Sequence, residues 1–454
     1  MGRLFGTDGV RGTAGKYPLD VPTIRRLGAA LARALSPKRG SQGEREGGRF
    51  LAGRDTRESG GWIERELAFG IRSQGGELTS AGIIPTPAVA YLTPRMGYTA
   101  GVVISASHNP FEDNGIKVFS GAGEKFTETL EQQVESIIDD PSWQVSPGDA
   151  AAIEQIDYRS EYISHLLRMF HPDERHAGMR IAIDCAHGAT TTIAPRLFQE
   201  LGFTPLCIGC EPDGRNINLR CGSTAPELLA RTVVEGRCSL GIAYDGDGDR
   251  AIFVDAAGTV VDGDAVMLMC AKQMKAEGRL KGNAVVATVM SNIGLEIALR
   301  NAGIDIVRCP VGDKYVMEEM MRRDLSLGGE QSGHVIFSEY LFTGDGLATS
   351  LNVLRTMAAT GRELSDLASD LTAYPQVLLN LRVERKVDLA TVPEVVAVMS
   401  DVESRLAGEG RLLVRYSGTE PLLRVMLEGR DEAEIRRWGQ DIIDAVKRHV
   451  GAAV

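Results

Sequence analysis

Along the chain, apolar positions switch repeatedly between a strand-like run and a helix-like spacing, with a loop of small and polar residues at each switch. The segments 49–57, 101–110, 180–188, 239–249, 283–292 and 326–334 all begin apolar and break off in such a loop. This periodicity predicts buried strands that run into loops and then helices. Ile24, Leu27, Leu31 and Leu35 recur at helical spacing, as do Leu130, Val134, Ile137 and Ile138, and core packing accounts for both stripes. The alternation predicts an α/β protein: three similar units with mixed, mostly parallel sheets. Ligands in such sheets bind at the carboxyl ends of the strands, where these loops fall.

After about residue 370 the texture changes. Residues 377–384, 411–416 and 422–428 read as strands, and Ile435, Trp438, Ile442 and Val446 mark a closing helix, so the last unit is a small α+β domain. The turn-rich stretch 139–149 closes the first unit and the turn at Asp255-Ala-Ala-Gly the second. The predicted domains are 1–155, 156–256, 257–370 and 371–454. Residues 39–48 are polar and glycine-rich, as in a mobile surface loop.

Composition narrows the class. A chain of 454 residues exceeds a single core, and 43% hydrophobic with 24% charged residues is the profile of a globular protein. The net charge of −11 argues against a nucleic-acid backbone or an acidic membrane surface as partner. It permits a small anionic substrate held by local arginines. No apolar run approaches the roughly 20 residues of a membrane span, and the start lacks the apolar core of a signal peptide. Gly6 stands where a myristoylation motif needs Ser or Thr. Seven cysteines without regular spacing suggest reduced thiols in a cytoplasm, and Cys207-x-x-Cys210 has no second pair at zinc spacing. The expected location is cytoplasmic.

The strongest local chemistry is Asp245-Gly-Asp-Gly-Asp-Arg250. Three carboxylates in so short a loop repel one another unless a cation or an arginine neutralises them, and hard oxygen ligands favour Mg²⁺, Mn²⁺ or Ca²⁺ over zinc. An EF-hand is excluded, because Arg250 stands where glycine is required and Ala256 where glutamate is required. The competing reading is a solvated acidic turn. Ser105-Ala-Ser-His-Asn-Pro110 follows the apolar run 102–104, so Ser107 sits where a nucleophile or a covalently carried group would sit; a plain loop capped by His108 competes equally. Lys117, just beyond, offers charge or a proton. Gly328-Gly-Glu-Gln-Ser-Gly-His334 suits several sugar hydroxyls, with His334 as a proton carrier near neutral pH. Arg415-Tyr-Ser-Gly-Thr-Glu-Pro, with Arg424 beyond it, matches a phosphate cradle or an ordinary surface turn. Neither a Walker motif nor G-x-G-x-x-G is present, so nucleotide binding has no support.

Taken together, Phe5-Gly-Thr-Asp-Gly-Val-Arg-Gly12, the serine loop 104–110, the loop 245–250, the loop 329–334 and the loop 415–421 resemble the α-D-phosphohexomutase family in content and order, across essentially the whole chain. Gln331 is similar to the family's amino-sugar branch, whereas phosphomannomutase/phosphoglucomutase members carry Met there.

The resemblance implies four domains in a heart-shaped arrangement and one Mg²⁺ on Asp245, Asp247, Asp249 and a phosphorylated Ser107. It implies conversion of glucosamine 6-phosphate to glucosamine 1-phosphate, supplying UDP-N-acetylglucosamine and cell-wall precursors. Glucosamine or glucose 1,6-bisphosphate serves as intermediate or activator. Arg11, His108, Lys117, Arg250 and His334 would be catalytic, with Lys117 and His334 as acid and base. Glu330, Gln331, Ser332 and His334 would bind the sugar, and Arg415, Ser417, Gly418, Thr419 and Arg424 the phosphate not being transferred. The rival activity is a phosphomannomutase/phosphoglucomutase. A non-catalytic phosphosugar sensor would have lost the nucleophile or a ligand, and all are present. The expected partner is the phosphosugar, bound by a monomer or homodimer.

Overall fold

The computed structural model describes residues 4–451 apart from 7, 37, 40–43, 46, 151, 173–175, 384, 407 and 417–421, and the backbone alone of 38, 39, 44 and 45. The chain divides into two compact units, Met1–Met290 with Ile306–Ser369, and Ser291–Asp305 with Asp370–Val454.

The first unit contains three sheets. Its six-stranded sheet runs Val10–Thr13, Asp113–Ser120, Ala100–Ile104, Arg49–Arg54, Glu77–Ile83, Glu154–Gln155. The Ala100–Ile104 strand is buried at every position and lies parallel to Arg49–Arg54 but antiparallel to Asp113–Ser120. A strand covered on both faces needs an unbroken apolar run, which is what 100–104 supplies. Helix Val21–Leu35 packs its predicted stripe here, with Ile24, Leu27 and Leu31 buried in the same cluster as Phe50, Val102 and Ile116. Each such side chain contributes about 1.5–3 kcal/mol by leaving water. Asp20 caps that helix by accepting from Thr23 N at 2.9 Å. The turn-rich segment after residue 139 is pinned by Arg26, which donates to Ile138 O (2.6 Å) and Trp143 O (2.9 Å).

The second sheet runs Thr204–Ile208, Arg180–Asp184, Leu240–Tyr244, Ala251–Asp255, Val260–Val261. Its first three strands are parallel and its last two antiparallel, so the turn after Asp255 leads into one more strand of the same sheet. The third runs Asp305–Cys309, Ala284–Thr288, Leu327–Gly329, Val335–Phe337. The expected loop 39–48 lies largely outside the described residues; Lys38–Arg39 at its start and Glu44–Arg45 within it pair antiparallel.

The second unit is built on an antiparallel sheet, Gln376–Arg382, Leu422–Glu428, Arg411–Tyr416, with helices Pro393–Leu406 and Glu432–His449. Helix Ile293–Asn301 belongs with it: Ile293 N donates to Glu428 Oε2 at 3.1 Å, and Asn292 exchanges hydrogen bonds with the Tyr374 backbone at 2.9 Å. Among the described residues no helix is long and apolar enough to cross a membrane, and all seven cysteines are free thiols.

Candidate active site

Three loops of the first unit meet at the carboxyl ends of their strands. The first follows Ala100–Ile104. Ser107 has φ +52, left-handed backbone that costs a residue with a β-carbon about 1–2 kcal/mol and persists only where its surroundings impose it. Ser105 Oγ accepts from Ser107 N (2.9 Å) and donates to Asp55 Oδ2 (2.6 Å). Buried Arg57 donates through Nη2 to the carbonyls of Ser107 (2.9 Å) and Asn109 (2.8 Å). The turn thus presents Ser107 Oγ to Asp245 Oδ2 at 2.5 Å.

The second loop joins Leu240–Tyr244 to Ala251–Asp255 as a tight hairpin connection. Asp245, Asp247 and Asp249 are all buried, and they can bring one oxygen each within 4.8 Å of the others. Gly246 makes the close approach possible: a β-carbon there would stand 2.5 Å from the Ser107 carbonyl oxygen. Burial, together with Asp249 and Asp247, pushes the Asp245 carboxyl well above its usual range. Asp247 Oδ1 and Asp249 Oδ1 are buried without a hydrogen-bond partner. Three converging carboxylates, two with an orphaned oxygen, are the donor set of a hard divalent cation, and Mg²⁺ fits them.

Lys117 Nζ lies behind this loop, 2.8 Å from Asp247 Oδ2, 3.1 Å from Asp8 Oδ2 and 3.5 Å from Asp249 Oδ2. Burial opposes its charge, but Asp247, Asp8 and Asp249 outweigh burial and hold the ammonium well above its usual pKa. Asp8 also pairs with Arg11 and Lys125, and Lys125 pairs with Asp313. Seven charged groups, Asp8, Arg11, Lys117, Lys125, Asp247, Asp249 and Asp313, therefore form one network at the site.

The third loop turns between Leu327–Gly329 and Val335–Phe337, and is tied to the second by Ala251 N donating to Gly333 O at 3.1 Å. Above the loops lies a cavity of about 410 Å³ lined by Arg11, His108, Arg250, Asp313 and Glu330 among others. His108 Nδ1 is 3.4 Å from Ser107 Oγ. Burial, Arg250 and Arg11 push its imidazole below the usual histidine range, so it is neutral near pH 7.

The predicted residues are distributed unevenly around this cavity. Ser107 and the aspartates converge, with Arg11, His108, Arg250 and Glu330 at the cavity wall. His334 is 1% exposed: its Nε2 accepts from Gly344 N (3.1 Å) and its Nδ1 faces Asp249 Oδ1 at 3.6 Å. Burial opposes charge on this ring, but Asp249 raises it. The Gln331 amide is turned to Asp262 Oδ2 (3.0 Å), and Ser332 is exposed. Arg415 and Arg424 are cross-strand partners in the second unit's sheet; Ser417, Gly418 and Thr419 lie outside the described residues. Arg57, Asn218, Lys125 and Asp313 were missed, since their partners lie 50 to 188 residues away.

The chain is similar along essentially its whole length to known proteins. Sequence models of the phosphoglucomutase/phosphomannomutase alpha/beta/alpha domains I, II and III match residues 2–144, 160–258 and 262–374, and that of the C-terminal domain matches 378–445. The chain belongs to the phosphoglucomutase/phosphomannomutase family. Among curated relatives, it is similar to phosphoglucosamine mutases of Syntrophotalea carbinolica (47% identity, 99% of this chain and 98% of the relative) and Solibacter usitatus (47%, 99% of each). Among solved structures it resembles a phosphoglucomutase/phosphomannomutase family protein of Burkholderia thailandensis (TM-score 0.79, 23% identity, 98% of this chain and 97% of that one). It also resembles an Aspergillus fumigatus N-acetylphosphoglucosamine mutase in complex with GlcNAc-6P and magnesium (TM-score 0.65, 17% identity, 98% and 95%). At these identities the two structures speak to the fold.

Proposed function

We propose that the protein is an isomerase that interconverts glucosamine 6-phosphate and glucosamine 1-phosphate through a phosphorylated Ser107 and a 1,6-bisphosphate intermediate. The observation that carries the reaction class is Ser107 Oγ, 2.5 Å from a buried aspartate whose two neighbours have orphaned oxygens. The choice of sugar is supported by the names of relatives 44–47% identical over the full chain.

Asp245, Asp247 and Asp249 would hold Mg²⁺, which supplies neutralisation of the phosphoserine and polarises its ester. Arg11 and Arg250 at the cavity wall offset charge on the phosphoryl group as the bond from Ser107 Oγ to phosphorus breaks and the bond from a sugar oxygen forms. The hydroxyl proton of the sugar passes to Ser107 Oγ, with His108 Nδ1 placed to relay it. Ser107 returns to the hydroxyl that donates to Asp245. Lys117 and His334 are buried against carboxylates, so their part is to hold Asp247 and Asp249 in place. Glu330, with Ser332 beside it, binds sugar hydroxyls; its Oε1 accepts from Gly312 N at 3.1 Å, which fixes its aim. Arg415, Ser417, Gly418, Thr419 and Arg424 are proposed to bind the other phosphate. The domains are taken as 1–155, 156–256, 257–370 and 371–454, and the enzyme as cytoplasmic.

Intact-mass and phosphopeptide analysis tests the mechanism: one phosphoryl group on Ser107, absent in Ser107→Ala together with all mutase activity. A phosphate on any other residue overturns it. Relative kcat/KM on glucosamine, glucose and mannose phosphates tests the sugar, and a preference for mannose phosphate overturns that choice.

A further inference from the structure

The Ser107 turn is gripped from both sides by side chains that do not touch the cavity. From its own domain comes Arg57, 1% exposed and oriented by Asp55, whose Oδ2 accepts from Nε at 2.9 Å. Its Nη2 bonds the Ser107 and Asn109 carbonyls, and its Nη1 reaches the Pro110 carbonyl and that of Asp113 (3.0 Å). From the neighbouring domain comes Asn218, whose Nδ2 bonds the same two carbonyls, at 2.9 Å to Ser107 and 3.2 Å to Asn109. The loop that delivers Asn218 is itself fixed: Asn218 N donates to Ala186 O (2.9 Å), Gly222 N to Asp184 Oδ2 (2.7 Å) and Ser223 N to Tyr244 O (2.9 Å). The Asn218 amide also abuts Gly246, where a β-carbon would stand 2.9 Å from Nδ2. One carbonyl, that of Ser107, is thus the meeting point of the serine turn, the aspartate loop and the Asn218 loop.

We infer that Asn218 and Arg57 are positioning residues, a two-domain clamp that holds Ser107 in its left-handed turn and sets the distance from its oxygen to the three aspartates. The argument is geometric. Ser107 and Asp245 come from different sheets, and phosphoryl transfer is steep in the placement of its reacting atoms, so an error of about 1 Å costs up to about 100-fold. With its carbonyl held by two donors and its N–H by Ser105 Oγ at 2.9 Å, Ser107 is held on both sides of its α-carbon, which fixes the φ of +52 that aims Oγ. Asn218 has φ +58, where asparagine is common for conformational reasons alone. That simpler account makes a different prediction, because glycine serves such a backbone equally well.

Asn218→Gly therefore separates the two. It keeps the turn and deletes the amide. The clamp predicts a fall in kcat of at least about 10-fold with KM for the sugar phosphate nearly unchanged, and faster deuterium exchange in the peptide spanning 103–113. It also predicts more phosphate lost to water per sugar turnover. Asn218→Asp, which keeps shape and turn preference but sets an acceptor against two carbonyls, falls further; should the glycine variant melt early, it carries the same test. Arg215→Ala removes the exposed ion pair between this loop and Glu58 (2.8 Å) and leaves kcat within about twofold. Wild-type kcat and exchange in both Asn218 variants overturn the clamp, as does an Arg215→Ala loss equal to theirs. The catalytic consequence rests on the mutase reading above, but the exchange result does not. A wild type without mutase activity removes that reading and leaves the clamp to be judged by exchange.

Discussion

Asp184 ends one strand, and Asp245 directly follows its neighbour in the sheet. Arg180–Asp184 and Leu240–Tyr244 are parallel, with Ala243 in register with Asp184, and both carboxylates are fully buried where ligands bind in such sheets. Around Asp184 the backbone closes: Oδ1 accepts from Ala186 N at 2.9 Å and Oδ2 from Gly222 N at 2.7 Å, so the group is a knot that ties two loops together. Around Asp245 it stays open. Its donors are Arg250 N at 3.2 Å and the Ser107 hydroxyl, and two further carboxylates each arrive with an oxygen that accepts no hydrogen bond. A buried carboxylate supplied with amide donors is architecture, whereas a group of them left short of donors is a site waiting for a cation.

The largest effect expected from this contrast is at Asp247. Asp247→Asn keeps the shape of the loop and removes a charge from the triplet, so mutase activity should fall by about 1000-fold or more, with Mn²⁺ binding lost in titration calorimetry. Asp184→Asn should bind Mn²⁺ as the wild type does. Equal loss of metal in both variants would erase the distinction between knot and site.

Gly188→Ala probes the seam between the two regions. Ala189 N donates to Gly246 O at 2.8 Å, and a β-carbon on Gly188 would press into the Gly246 backbone, 2.7 Å from its Cα. Overpacking of this kind costs about 1–3 kcal/mol. Because the displaced atoms belong to the aspartate loop, kcat should drop about 10-fold or more as well. A variant that melts early yet turns over normally would show the seam to be structural alone.

These regions also show what a sequence can reveal. The triplet is legible because three carboxylates in six residues present an electrostatic problem that local structure cannot solve. The strands and helices were legible from their periods, as at Ala100–Ile104 and Val21–Leu35. Asp184 was not distinguishable from Asp245. Each follows an apolar run and precedes small residues, and the donor that closes the knot, Gly222, is 38 positions away. Arg57 lay in the loop after a strand like any surface arginine, and Asn218 sat in an unremarkable loop. His334 and Gln331 were read from residue type as facing a sugar. Tertiary partners, Gly344 and Asp249 for one and Asp262 for the other, decide where they point.

Asp184→Asn should cost about 1–3 kcal/mol in urea unfolding, because an amide can accept from only one of the two backbone donors without turning its NH₂ toward the other. Because the Gly222 bond also fixes the loop that carries Asn218, kcat should fall as well, but by less than in Asn218→Gly.

The smallest effect is the pH dependence of that cost. Burial pushes the Asp184 carboxyl above its usual range, against the backbone donors of Gly222 and Ala186 that favour its ionised form. A carboxyl whose folded pKa lies above its unfolded value of about 3.9 binds its proton more tightly in the native state. Its contribution to stability is therefore fully present below pH ~4 and is lost as pH rises through the folded pKa. An asparagine does not titrate. The stability difference between wild type and Asp184→Asn should accordingly be greatest in acid and shrink as pH rises toward neutrality, in unfolding curves taken at several pH values. A difference that grows with pH would mean that the amide donors outweigh burial and that the knot is held by a charge.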